Sequence, residues 1–245
     1  MMKIEAYRAK LRELADWEPF LLSESGLPGP RGNLELAQAV ADVGNEALFR
    51  RLLTFDPTQA PTNSPYEFLA FCGVVGLGKL LSQGQDEVLP LLRQYAADPR
   101  WRIREAVAMA LQRWAEKDMD ALIQAMNAWS AGNLLEQRAA AAALCEPKLL
   151  VEEKQIVAVL QILDEITASI LRLEQRKSAE FQALKKGLAY CWSVAVAAGP
   201  KAGQPLMEKW LTSDDKDIRW IMKENLQKNR LVRIDSAWVT MWKAK

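Results

Sequence analysis

Three groups of side chains in this 245-residue sequence have types and spacings that could do chemistry. They are three cysteines, a glycine-rich stretch ending in lysine, and two places where tryptophan stands among cations. Cys72, Cys145 and Cys191 are odd in number, far apart and set in apolar surroundings, with no Cys-x-x-Cys pair. That pattern predicts buried free thiols in a reducing compartment, neither a metal site nor a disulfide set. Gly73, Gly76 and Gly78 precede Lys79, but no strand-like run comes before them. Leucines follow Lys79 where a phosphate-cradling loop needs Ser or Thr. Glycine costs helix stability, so three of them inside a helix predict a neighbouring backbone packed close by. The sequence has no histidine. This removes His-ligated metals, Ser-His and Cys-His nucleophile pairs and His general bases together. No cofactor and no metal is expected, and no catalytic residue can be named.

The tryptophan–cation groups are Arg100, Trp101 and Arg102, and then Trp220, Lys223 and Arg230, with Lys228 and Arg233 close by. Cations at a groove rim can contact phosphates, and an exposed aromatic can stack on a base or grip a peptide. Against this, solvated helix faces carry the same residues. Trp220 could instead pack on the C-terminal segment that holds Trp238 and Trp242. Most of the nine tryptophans lie on apolar stripes, as core residues do. A net charge of +1 leaves nucleic acid only a local patch to use.

The elements that must position these groups are helices. Asp98-Pro99 makes a turn, and Ile103, Val107, Ala110, Leu111 and Trp114 then fall on one face of a 3.6-residue period. Residues 86–97 are amphipathic through Val88, Leu91, Leu92 and Tyr95, so the two segments read as an antiparallel helix pair. Ser64, Pro65 and Glu67 have the spacing of a capping box that opens a helix reaching to about residue 82. Earlier helices are expected over 3–17, 34–42 and 45–55. Later ones are expected over 118–130, 135–144, 151–174 and 178–198, near Trp210, and from 214 onward. The run Leu188–Val194 is apolar all round, as in a helix buried between neighbours. No alternating β-pattern occurs.

Arg104, Arg138 and Arg219 recur at spacings of 34 and 81 residues and are expected at equivalent places in stacked helices. In that register Glu105, Ala139 and Trp220 leave the core stripe. The fold class is therefore all-α, a right-handed α-α superhelix of about six helix pairs forming one domain over 1–245. Residues 1–63 are irregular, and 64–245 are stacked pairs. The first residues carry no apolar leader, and the longest apolar run, 187–198, is too short to span a bilayer. A cytoplasmic protein off the membrane is expected.

Asp98 with Ile103-Arg104, and Asp214 with Ile218-Arg219, each before an amphipathic helix, resemble the second helix of a HEAT repeat. The phrases from Trp101 to Ala108 and from Asp217 to Leu226 are similar to a bacterial group of stand-alone HEAT-repeat proteins, most without an established activity. The resemblance implies that Asp98, Arg104, Arg138, Asp214 and Arg219 are scaffold residues of the inter-repeat turns. It also implies a non-enzymatic scaffold that holds a protein partner along its concave face. Trp101 with Arg104 more distantly resembles a Trp-x-x-Arg element of the HEAT-like alkylpurine DNA glycosylases. That resemblance implies the alternative, a DNA-binding protein. The family's catalytic Asp has no counterpart, since Trp129 is followed by Ser130.

Overall fold

The computed structural model describes residues 2–245. Its described residues form fifteen α-helices and two 3-10 turns, with no strand. In chain order the helices are α1 (Met2–Glu13), α2 (Glu18–Ser23), α3 (Leu34–Val43), α4 (Glu46–Leu52), α5 (Pro65–Ser82), α6 (Leu89–Tyr95), α7 (Trp101–Ala115) and α8 (Met119–Ser130). There follow α9 (Leu134–Leu144), α10 (Glu153–Ser169), α11 (Ala179–Ala198), α12 (Pro200–Leu211), α13 (Lys216–Leu226), α14 (Asn229–Ile234) and α15 (Ser236–Lys243). They group into two compact units, Met1–Lys117 and Asp118–Lys245. No helix among the described residues is long and apolar enough to cross a membrane.

The first unit is built around α5. Ser64 Oγ accepts the Glu67 N–H at 3.2 Å, and Pro65 takes the first turn, where its missing N–H costs nothing. Helices α3, α4 and α7 all pack on α5, which is buried on nearly every side. The three glycines make that possible. A Cβ on Gly78 would stand 2.6 Å from Ala110 Cα of α7, and one on Gly76 would strike the Phe49 ring of α4. At the end of α3, Asp42 is clamped between Arg8 and Arg113. Lys79 donates to the Asp42 and Gly44 carbonyls at 2.9 and 2.7 Å, an ordinary helix tie and not a phosphate contact.

The second unit is built around α11, which packs on α9, α10, α12, α13 and α14. Its Trp192 is fully buried, and the indole N–H donates to Thr167 Oγ1 of α10 at 3.0 Å. Asn225 of α13, also fully buried, joins the two helix backbones. Its amide donates to the Leu188 carbonyl at 2.9 Å and accepts the Ser193 N–H at 2.7 Å. Trp238 and Trp242 of α15 turn their indole N–H groups onto Glu208 Oε1 at 2.7 and 3.2 Å.

The starts of α7 and α13 share side-chain bonds. Arg104 donates to the Asp98 carbonyl at 2.6 Å, and Arg219 donates to the Ser213 carbonyl at 2.7 Å, each six residues back. Asp98 Oδ1 accepts the Arg100 N–H, and Ser213 Oγ accepts the Asp215 N–H, so Ser213 stands where Asp98 stands. Asp215, not the exposed Asp214, caps the following helix. In α9 the corresponding residue is Gln137, which donates to the Gly132 carbonyl at 3.3 Å. Counted from the first residue of each helix, Arg104, Gln137 and Arg219 are fourth, so Arg138 lies one position beyond the place that its spacing predicts. Ala139, expected off the core stripe, is fully buried for the same reason. Arg138 takes the position of Glu105 and Trp220 instead.

Candidate binding faces on the two units

In the first unit, two of the three expected groove residues turn inward. Arg100 is 2 % exposed. Its guanidinium grips both Asp98 carboxylate oxygens, at 2.9 and 2.8 Å, and donates to the Phe55 and Ala60 carbonyls. Arg102 is 5 % exposed, pairs with the fully buried Glu67 at 3.2 Å, and donates to the Gly29 carbonyl and Asn63 Oδ1. Neither is a rim cation. A buried guanidinium is costly unless its donors are met: Asp98 and the Phe55 and Ala60 carbonyls meet those of Arg100, while Glu67, Gly29 and Asn63 engage the two terminal nitrogens of Arg102 and leave its Nε without a partner. An arginine two residues after Asp98, inside a tight turn, was the sign of such a clamp. Trp101 does reach solvent, at 41 % exposure, with the Arg102 guanidinium 4.3 Å from its ring centre.

The second unit brings its expected residues onto exposed faces. Trp220, Lys223 and Lys216 lie on the solvent side of α13, spaced so that they share one stripe. Trp220 is 39 % exposed, and Lys185 of α11 sits 4.4 Å over its ring. On α11, Tyr190 is 45 % exposed and carries the Arg230 guanidinium 4.6 Å above it, while Arg230 donates to its hydroxyl at 2.6 Å. Tyr190 corrects the sequence reading, which put it in an apolar run buried all round. The signal was its spacing of four from the exposed Lys186, which places both on the outer stripe of α11.

The charges behind this face are held tightly. Lys185 pairs with Asp217 at 2.7 Å, and Arg176 pairs with Asp215 and reaches Asp217 at 3.4 Å. Burial alone would raise the Asp217 carboxyl, but the hydrogen bond and charge of Lys185, with help from Arg176, outweigh it and leave Asp217 below the usual range. Burial likewise opposes ionisation of Asp215. Arg176 and the N–H groups of Ile218 and Asp217 reverse the balance there. The first unit has the same kind of tie with its polarity exchanged, Glu67 on α5 to Arg102 on α7.

All three cysteines are free and buried. Burial pushes the Cys72 thiol well above its ordinary value, and it does the same to Cys145, whose thiol also meets Cys191. No group of three or more potential metal ligands forms among the described residues. The chain matches no family model, no curated protein and no solved structure.

Proposed function

We propose that the chain is a non-enzymatic, HEAT-like helical-repeat scaffold that holds a protein partner on the exposed face of α11 and α13. The observation that carries this is the pair of solvent-facing aromatics, Tyr190 and Trp220, each capped by a cation. Aromatic and arginine side chains dominate binding energy at protein interfaces, because they bury much area at small entropic cost. Here both rings are pre-positioned on rigid helices by their cations. The repeat reading is supported by the shared bonds of Arg104 and Arg219 and by the exchanged ion pairs between alternate helices, α5 with α7 and α11 with α13. Free buried thiols suit a reducing, cytoplasmic setting. The second reading, a DNA-binding protein, draws on the stripe of Lys216, Trp220 and Lys223.

The test is affinity capture from cell extract with the full chain, comparing Trp220→Ala and Tyr190→Ala with Val151→Ser, a change at an exposed residue away from this face. One protein should be captured by the parent and by Val151→Ser, resist nuclease treatment, and be lost from both aromatic variants. Loss of about 2 kcal/mol at each aromatic is the expected scale for an interface anchor. Retention by both variants, or nuclease-sensitive capture, overturns the scaffold reading.

A further inference from the structure

Around its two rings, the face of α11 and α13 carries positive charge that the fold does not use. Lys186 of α11 and Lys216 and Lys223 of α13 are exposed, and Arg230 is partly so. Arg230 bonds the Tyr190 hydroxyl, and none of the four pairs with a carboxylate among the described residues. Against them stand Asp214, exposed just before α13, and the partly exposed Glu224. From Lys216 to Lys245 the chain has eight Lys and Arg against three acids. Of those acids, Asp217 is held by Lys185 and Asp235 caps α15. We propose that the partner segment seated on this face is acidic, an apolar side chain flanked by Asp or Glu. Its carboxylates meet the four cations, and its apolar group lies between Tyr190 and Trp220. This identification of the partner's chemistry rests on the protein-binding reading of the same face.

The register of the two helices brings rings and cations onto one surface. Lys185 meets Asp217 and Ser193 meets Asn225, both at an offset of 32 residues. The helices therefore run side by side in the same direction. That offset sets Trp220 level with Leu188, between Lys186 and Tyr190 of the outer stripe of α11. Along α13, Lys216 and Lys223 lie about 6 Å and about 4.5 Å from Trp220 on either side, at 1.5 Å per residue. On α11, Lys186 precedes Tyr190 by one turn, and Arg230 covers the tyrosine ring. Each ring thus has uncommitted cations beside it. An apolar centre with a charged rim is the arrangement of a protein interface, where the rim sets encounter rate and register. A nucleic acid draws its affinity from many phosphates at once, and this surplus of charge is small for that.

Selection of a phage library of random peptides on the immobilised full chain tests the proposal, followed by fluorescence anisotropy with the labelled consensus peptide. The enriched sequences should place Asp and Glu around an apolar residue. Binding should weaken as salt rises, because the cations are exposed. Replacing the acids of the peptide by their amides should cost at least about tenfold in affinity. The double variant Lys186→Glu, Lys223→Glu should lose about tenfold or more, and Trp220→Ala a similar amount. Lys154→Glu, a charge reversal at an exposed position on α10, should bind as the parent does. Circular dichroism checks that each variant is folded, and the exposed lysines keep the test open if Trp220→Ala unfolds. Neutral or basic peptides that are lost from Trp220→Ala overturn the acidic partner and leave the protein-binding face standing. Acidic peptides indifferent to the lysine pair overturn it too, since they bind elsewhere. A duplex oligonucleotide that displaces the peptide at physiological salt overturns it in favour of nucleic acid. Failure to enrich any peptide also overturns it, and affinity capture then decides the protein-binding face by itself.

Discussion

At the scale of single residues, chemically similar side chains divide into two uses. Arg100 and Arg230 are both arginines near aromatics, yet Arg100 is almost wholly buried in a bidentate pair with Asp98, and Arg230 lies on an exposed tyrosine. The difference follows from what surrounds them. Arg100 has four oxygens within reach, two of them carbonyls of loop 55–60, and desolvation is tolerable only because all are used. Arg100→Ala should therefore act on stability and not on binding. It leaves Asp98 charged and unpaired in a buried turn, and the expected cost is about 3–5 kcal/mol. Urea unfolding of the parent and the variant measures it. A change under about 1 kcal/mol would mean that Arg100 is an ordinary surface cation.

At the scale of elements, the junction between α11 and α13 depends on carboxylates that must stay ionised. The folded-state pKa values of Asp215 and Asp217 are depressed, so their contribution to stability is fully present above the unfolded value of about 3.9. It is lost as pH falls through the lower folded values. The denaturation midpoint should fall below about pH 4, and the fall should be shallower in the double variant Asp215→Asn, Asp217→Asn. An identical pH profile in both proteins would remove these pairs from the stability of the junction. The helices themselves were legible because their signals are local: the Ser64-Pro65 start, the Asp98-Pro99 turn and the apolar stripe ending at Leu226. Gly78 was legible as a point of close packing, although its partner Ala110 was not, since a contact between helices leaves no mark on local period. The misplaced Arg138 shows the same boundary. Spacing located a basic residue near a helix start, but counted from the first residue of α9 the fourth place falls to Gln137, because the length of the preceding turn decides where the helix begins. Of the candidate site, Trp220, Lys223 and Arg230 were legible as a group. Tyr190 was hidden by its apolar neighbours, and the inward turn of Arg100 and Arg102 depended on distant loops.

At the scale of the molecule, the cations are nearly balanced by acids, 32 against 31, and many are committed to structure. Arg8, Arg100, Arg102, Arg113, Arg176 and Lys185 each hold a carboxylate, and Arg104, Arg219 and Lys79 hold carbonyls. A cation that already neutralises an acid releases few counterions on meeting a phosphate, so it adds little to nucleic-acid affinity. What α13 and its surroundings offer is a short set, Lys216 and Lys223 on the stripe of Trp220, and Arg230 over Tyr190. A set of this size predicts weak, sequence-independent DNA binding that fades near physiological ionic strength. Each neutralised phosphate contributes about −0.9 to the slope of log affinity against log salt, so the slope should be no steeper than about −3. Fluorescence anisotropy of a labelled duplex at several salt concentrations gives that slope, and a base-excision assay on alkylated duplex run alongside should release nothing. Tight binding at physiological salt, or excision abolished by Trp220→Ala, would displace the protein-scaffold reading in favour of the nucleic-acid one.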